Sequence, residues 1–302
     1  MTIEGIRPAT RLALPDLGTK IEIREAGSQV GLARITHNHP SRIHTTMAQL
    51  IFLGTAAALP VAGRTNTSLA ILSDRADGNG LLIDCGGDVY GSLLRGGVGP
   101  DSISDLFITH AHIDHIGTLP SLLESLRLGG RRAPLQIWAL PQVISVTHAL
   151  IQAYDFELTL DTWAYPVRFT EVGDGESITL AGIPAYAASM DHTVPTLGLR
   201  LELPGGVVAY TSDTQPNPHI GRLSQGAATL ITECTFLGAQ EAKARTSRHL
   251  TAYEAGRLAS ECGAARLALV HQGPPAESIR AEAMEVFSGQ VIVPDDLDTL
   301  GL

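Results

Sequence analysis

The sequence predicts an α/β protein in which sheets pack face to face with helices on the outside. Short apolar runs bounded by Gly, Pro and Asn recur along it and read as strands. Longer stretches between them carry apolar residues at helical spacing. The chain also divides into two halves, each running through strands and then into a helix, which is the order of a layered α/β fold. With 302 residues, 44% of them hydrophobic and 17% charged, there is ample material for a core, and one large domain or two layered halves are both allowed.

The elements follow in order. Residues 1–46 hold His37, His39 and His44, several arginines and little sustained periodicity. They read as an N-terminal extension, either partly disordered or packed on a partner subunit, with one candidate strand at 21–24 where Ile and charge alternate. His37 and His39 have no carboxylate nearby and no apolar strand before them, so a metal pair there is disfavoured. A fresh start comes at Met47. Leu50-Ile-Phe-Leu, Ser68-Leu-Ala-Ile-Leu and Leu81-Leu-Ile-Asp84 read as strands, and 88–94 as a short helix. Residues 106–108 form a buried strand. Leu119, Leu122, Leu123 and Leu126 repeat at helical spacing up to Gly129-Gly130. Residues 135–139 read as a strand and 142–154 as a helix. Strands and turns fill 156–203. Leu203-Pro-Gly-Gly-Val makes a hairpin turn between 199–202 and 207–210. A helix over 251–262, which Thr251 can cap, precedes a strand at 267–270.

The chemistry concentrates in His110-Ala-His112-Ile-Asp114-His115. Three imidazoles and a carboxylate follow a buried strand and precede Gly117, and these are ordinary ligands of a divalent metal. Alternation puts His110 and His112 on one face. A turn then lets Asp114 and His115 reach a second position, so one stretch can serve two ions. Chance would produce this pattern in roughly one such chain per thousand. His192, Asp213 and His271 lie at strand ends, where chemistry is usually grafted. Each alone would read as a cap or a satisfied polar group. With the first cluster they complete a set large enough for two metals and a bridging water. His249 stands just before the 251–262 helix as a candidate general acid, with Glu233 placed to orient its ring. His148 reads as a core or surface histidine, and His219 as a loop residue, with the mouth of a pocket as the lesser alternative. Pocket walls are expected from 57–64, 154–165 and 214–219. Arg64 reads as a surface arginine or an anion contact, and Trp163 and Tyr165 as core or an apolar wall.

Residues 50–275 resemble the metallo-β-lactamase superfamily, and within it the ribonuclease Z-like branch. The resemblance rests on Phe52-Leu-Gly-Thr-Ala-Ala-Ala-Leu-Pro60, Asn66-Thr-Ser68, Leu82-Ile-Asp84-Cys-Gly86, the His110 to His115 motif, His192-Thr-Val-Pro-Thr-Leu-Gly, Ser212-Asp213-Thr, Glu233-Cys-Thr-Phe, His249-Leu-Thr and Leu269-Val-His271. It implies an αββα sandwich over 47–302 with two Zn2+ ions, Mn2+ or Fe2+ being compatible with the same donors. It implies His110, His112 and His192 on one metal, Asp114, His115 and His271 on the other, and Asp213 bridging. It also implies His249, paired with Glu233, as the catalytic histidine and leaves room for a homodimer. Ribonuclease Z enzymes carry a long tRNA-gripping arm between the positions matching His192 and Asp213. Here only 193–212 separate the two and a tight hairpin uses them, which argues against tRNA 3′ processing. The stretch beginning Leu250-Thr-Ala-Tyr is also similar to arylsulfatase-like members.

The expected activity is therefore hydrolysis of a small or cyclic phosphodiester or a short RNA by a metal-bridging hydroxide. Asp114 would hold the water proton and His249 would protonate the leaving oxygen. An ester, lactone, thioester or aryl sulfate on the same site is the alternative, followed by a non-catalytic metal-binding module. The net charge of −10, only two lysines (Lys20 and Lys243) and no basic run beyond Arg131-Arg132 argue against unaided binding of long nucleic acid. A small anionic substrate is compatible, because a metal pair brings positive charge. Cys85, Cys234 and Cys262 are too scattered for a disulfide framework or a C-x-x-C site and fit a reducing cytoplasm. No membrane span or signal peptide is expected, since no apolar run approaches ~18 residues and the first 30 lack an apolar core.

Overall fold

The computed structural model describes residues 48–73, 79–154 and 164–302. The expectations for residues 1–46, including the 21–24 strand and the histidines at 37, 39 and 44, lie outside the described residues, as does Trp163.

The first half contributes β1 (Gln49–Gly54), β2 (Ser68–Leu72), β3 (Gly80–Ile83), α1 (Val89–Arg95), β4 (Ile103–Ile108), α2 (Ile113–Ile116), α3 (Leu119–Leu128), β5 (Leu135–Ala139), α4 (Pro141–Ala153) and β6 (Val167–Glu171). The second contributes β7 (Ser177–Leu180), β8 (Ile183–Met190), β9 (Thr196–Leu203), β10 (Gly206–Tyr210), α5 (Pro218–Ser224), β11 (Thr229–Cys234), α6 (Glu241–Ser247), α7 (Ala252–Glu261), β12 (Arg266–Gln272), α8 (Ala276–Val286), β13 (Gln290–Ile292) and β14 (Thr299–Gly301). Among the described residues the strands form two seven-stranded sheets, ordered β14-β1-β2-β3-β4-β5-β6 and β13-β12-β11-β10-β9-β8-β7.

The αββα sandwich follows from strand direction and side-chain alternation. Parallel neighbours need a crossover, which a helix supplies on the sheet face. β3 to β6 pair in parallel, and α1, α3 and α4 make the crossings. β10 to β13 are likewise parallel, with α5, α7 and α8 between them. Period-two alternation then gives each central strand two apolar faces. In β1, Leu50 and Phe52 join the core between the sheets, while Ile51 and Leu53 join the layer under the first set of helices. In β12, Ala268 and Val270 face the middle, and Leu267 and Leu269 face α7 and α8. Each such Leu, Ile or Phe contributes about 1.5–3 kcal/mol by leaving water, so both sheets must carry helices outside to hide what the middle layer leaves over.

This arrangement collects the strand ends. β8 and β10 both run antiparallel to β9, so their C-terminal ends lie on one side. Contacts between the sheets fix that side: Leu197 N donates to Thr109 O at 3.1 Å, Gln272 N to Thr55 O at 2.9 Å, and His271 N to Thr67 Oγ1 at 3.0 Å. The expected hairpin is present, with Leu203 paired to Gly206. Thr251 caps α7 in a reciprocal box with Glu254. Among the described residues no helix is long and apolar enough to cross a membrane.

Candidate metal centre

All seven sequence-predicted ligands converge where the strands end. His110 and His112 follow β4, and α2 carries Asp114 and His115 back beneath them. His192 follows β8, Asp213 follows β10, and His271 lies near the end of β12. One donor atom each from His110, His112, His192 and Asp213 lies within 4.8 Å of the others, and the same holds for Asp114, His115, Asp213 and His271. Asp213 Oδ2 sits between the groups, 3.8 Å from His110 Nε2, 3.9 Å from His192 Nε2, 3.4 Å from His115 Nε2 and 3.3 Å from His271 Nε2.

The backbone is bent to make this possible. Asp84, Ser212 and His271 take left-handed φ values of 63°, 56° and 51°, a conformation that costs an L-residue energy and recurs at functional sites. Gly86 lets the loop after β3 lie against α2, because a Cβ there would fall 1.4 Å from the Asp114 carbonyl oxygen. Cys85 N donates to His115 O at 2.6 Å and closes the same contact.

Partners on the far side of each ring decide which nitrogen faces inward. His192 Nδ1 lies 3.0 Å from the Arg248 carbonyl oxygen, which can only accept, so Nδ1 carries the proton and Nε2 is bare. Thr109 Oγ1 donates to Asp84 Oδ2 at 3.0 Å and so accepts from His110 Nδ1 at 2.9 Å. Thr235 Oγ1 donates to Glu233 Oε2 at 2.5 Å and accepts from His271 Nδ1 at 2.9 Å. His115 Nδ1 donates to Asp84 Oδ2 at 2.8 Å. With a single ring proton, each held on Nδ1, His110, His115, His192 and His271 would present bare Nε2 atoms to the centre. His112 does the reverse: its Nδ1 faces His110 Nε2 and His192 Nε2, each at 3.1 Å, and its Nε2 faces Thr193 Oγ1 at 3.3 Å.

Such a set calls for a cation. His115 Nε2 and Asp213 Oδ1 are buried without a hydrogen-bond partner. Burial, reinforced by His115, drives the His110 pKa well below its ordinary value. Burial also lowers His112 and His192. It opposes charge on His115 too, but Asp213 and Asp84 outweigh it and raise that pKa well above the ordinary value. Burial would raise Asp114 and Asp213, yet the surrounding imidazoles hold both carboxyls below the usual range. Lone pairs and carboxylates therefore draw positive charge to one spot, as a proton or as a metal. In a tetrahedral site with bonds of about 2.0–2.1 Å, donor atoms stand roughly 3.3–3.4 Å apart. The observed separations of 3.1–3.9 Å bracket that edge.

The Glu233–His249 pair is where the sequence placed it. His249 Nδ1 lies 2.8 Å from Glu233 Oε1 and 3.0 Å from Oε2, leaving Nε2 as the other ring nitrogen. Burial pulls the His249 pKa down, but Glu233 outweighs it and pushes it up to about 9. Glu233 Oε1 also accepts from Thr214 N at 2.7 Å, which ties the pair to the strand end that carries Asp213.

Some expectations change and others narrow to one alternative. His219 is not in a loop: Asn217 caps α5, Pro218 opens it, and His219 lies in its first turn with Arg222 beside Nδ1. Its neighbourhood does not line the cleft at the metal centre. That cleft, about 600 Å³, takes Ala57, Leu59 and Val61 from the predicted 57–64 wall, but its other side comes from Phe236, Lys243 and Pro274 instead of 214–219. Residues 155–163 of the third predicted wall lie outside the described residues. Arg64 is neither free nor aimed at the centre, because it is paired with Gln272 and, at 2.6 Å, with Asp295. Tyr165 is core, its hydroxyl donating to Leu123 O at 2.9 Å. His148 is exposed, its ring 4.7 Å from Phe169. Sequence reasoning missed Asp84, Thr109 and Thr235 as the groups that set the imidazole tautomers. The available signal was an Asp ending an apolar strand, a hydroxyl just before His110, and another just after β11.

Residues 79–272 match the family model described as the Beta-lactamase superfamily domain. The chain is similar to the protein named Ribonuclease Z of Natronomonas pharaonis, 30% identical over 84% of this chain and 97% of that one. Its similarity to the Ribonuclease Z of Halorubrum lacusprofundi is 29% over 83% and 96%. Among solved structures, the metallo-beta-lactamase fold protein YhfI from Bacillus subtilis superposes with a TM-score of 0.74 at 24% identity, covering 85% of this chain and all of that one.

Proposed function

The chain belongs to the beta-lactamase superfamily, in its ribonuclease Z-like branch, and is a metal-dependent hydrolase; on that premise we propose that it cleaves a small anionic phosphodiester at a pair of zinc ions. The observation that carries the reading is the Asp213 carboxylate, which faces bare imidazole nitrogens from both donor groups. In this reading His110, His112 and His192 would hold one ion, Asp114, His115 and His271 the other, and Asp213 would serve both. The donors would also accept Mn2+ or Fe2+. When bound, the ions supply Lewis acidity toward the phosphoryl oxygens and a water acidic enough to attack in line.

The remaining chemistry falls to the chain. Asp114 has a carboxylate at the centre and takes a proton from the attacking water as the water oxygen bonds to phosphorus. His249 gives its Nε2 proton to the leaving oxygen as the P–O bond breaks, so the alcohol departs neutral. Glu233 accepts from Nδ1, fixes the ring and keeps it protonated at neutral pH. The proton held by Asp114 restores His249, completing the addition of one water.

The cleft of about 600 Å³ and the short hairpin joining β9 to β10, which carries no arm for long RNA, favour a small substrate. Short RNA stays within the class, as the name of the relatives suggests. The same reading takes 47–302 as the hydrolase domain, 1–46 as an extension and the cytoplasm as the setting. The test is hydrolysis of bis(p-nitrophenyl) phosphate beside p-nitrophenyl acetate and p-nitrophenyl sulfate by zinc-loaded protein. Metal-dependent cleavage of the diester, lost on His249→Ala with a poor leaving group, supports the proposal. Cleavage of acetate or sulfate alone, indifferent to His249, overturns it.

A further inference from the structure

The cleft beside His249 has a composition that the proposed chemistry does not require. Leu59 and Val61 line it while 81% and 53% exposed, so the lip of the cleft is apolar. Phe236 faces them. Its backbone is held on both sides, N donating to Leu250 O at 3.3 Å and O accepting from Ala252 N at 2.8 Å, so this wall is rigid. The ring centre lies 6.1 Å from that of His249. Lys243 Nζ stands 5.3 Å from the centre of the same ring. Lys243 is the only lysine after Lys20 in a chain of net charge −10. Among the described residues no carboxylate pairs with it, and no carboxylate lines the cleft. One apolar ring therefore has the imidazole at 6.1 Å and the ammonium at 5.3 Å in a single cleft.

We propose that this cleft is the subsite for the leaving group and that Phe236, Leu59, Val61 and Lys243 select one with an apolar ring bearing a second negative charge. The inference rests on the phosphodiesterase reading for the direction in which the substrate lies, since His249 must face the leaving oxygen. The ring would lie between Phe236 and the apolar lip, with its outer anion at the ammonium. An exposed ion pair of this kind is weak, so Lys243 acts as a selector among substrates and supplies little total affinity.

The test is calorimetric binding of methylphosphonate, phenylphosphonate and 4-carboxyphenylphosphonate to zinc-loaded wild type, Phe236→Ala and Lys243→Glu. Wild type should prefer phenyl- to methylphosphonate by about three- to tenfold, through ring contact. The 4-carboxyl group should add about two- to fivefold. Phe236→Ala should erase the first preference, and Lys243→Glu should erase or reverse the second while keeping the first. Equal binding of all three, or a carboxyl preference unchanged in Lys243→Glu, overturns the subsite. Bis(p-nitrophenyl) phosphate turnover by the same preparation separates the two proposals. If the preferences hold without turnover, the subsite stands and the phosphodiesterase reading falls. If turnover occurs without the preferences, the reverse is true.

Discussion

Replacing Asp84 by Asn tests whether a residue outside the ligand set controls the metal centre. Asp84 is fully buried, accepts from Thr109 N through Oδ1 at 2.8 Å, and accepts from Thr109 Oγ1 and His115 Nδ1 through Oδ2 at 3.0 and 2.8 Å. An amide has one acceptor and one donor end, so either orientation sets a donor against a donor. With nitrogen at the Oδ2 position, His115 must accept through Nδ1, which moves its proton to Nε2 and removes the lone pair facing the metal. With nitrogen at the Oδ1 position, the Thr109 amide is orphaned at about 1–3 kcal/mol, and His115 keeps only a neutral acceptor, roughly half as strong. Both routes lead to about 1.5–3 kcal/mol, or a 10- to 100-fold loss of affinity, the usual scale for such outer partners. The metal-free fold should suffer less. Burial raises the Asp84 pKa, so its charge at neutral pH works against the folded state, and the amide relieves that cost. The assay is zinc competition with a chromophoric chelator, alongside thermal melting of the metal-free protein. Wild-type zinc affinity in Asp84→Asn would refute the tautomer argument.

Further outcomes follow from the Glu233–His249 pair. His249→Ala should lower kcat for a diester with a poor leaving group by about 10²–10⁴. The loss should be much smaller for p-nitrophenolate, and metal content by elemental analysis should be unchanged. Because Glu233 pushes the His249 pKa up to about 9, the acid form predominates below that pH, and the rate should fall as pH rises through it. In Glu233→Gln the raising charge is gone, so the alkaline limb of kcat should move down by about one to two pH units; an unmoved limb would mean that another group sets it.

How much was legible in the sequence depended on whether a signal was local. The His110 to His115 run names its own chemistry, and a strand before it fixes where it stands. Strands such as β1 and β5 declare themselves because both faces are covered, so nearly every residue is apolar. Asp84 was opaque in role, because an aspartate ending a strand looks like any cap until His115 and Thr109 arrive from other segments. α8 carries only Ile279 and Ala283 as buried apolar residues, too few for periodicity to register. At α5 the pair Pro216 and Pro218 suggested a loop around His219, although Asn217 followed by proline is also a helix start. The cleft wall at 235–243 was missed because it is assembled across the fold, opposite residues 57–61. The pairing of β14 with β1 is likewise a long-range contact that no local pattern announces.

The most direct test of the whole account is the number of metal ions per chain, by elemental analysis after zinc loading and dialysis, in wild type and in Asp213→Ala. The account predicts two ions in the wild type, and weakened retention of both in the variant, because one carboxylate faces both donor groups. One ion or none in the wild type, or two ions held equally well without Asp213, would contradict it.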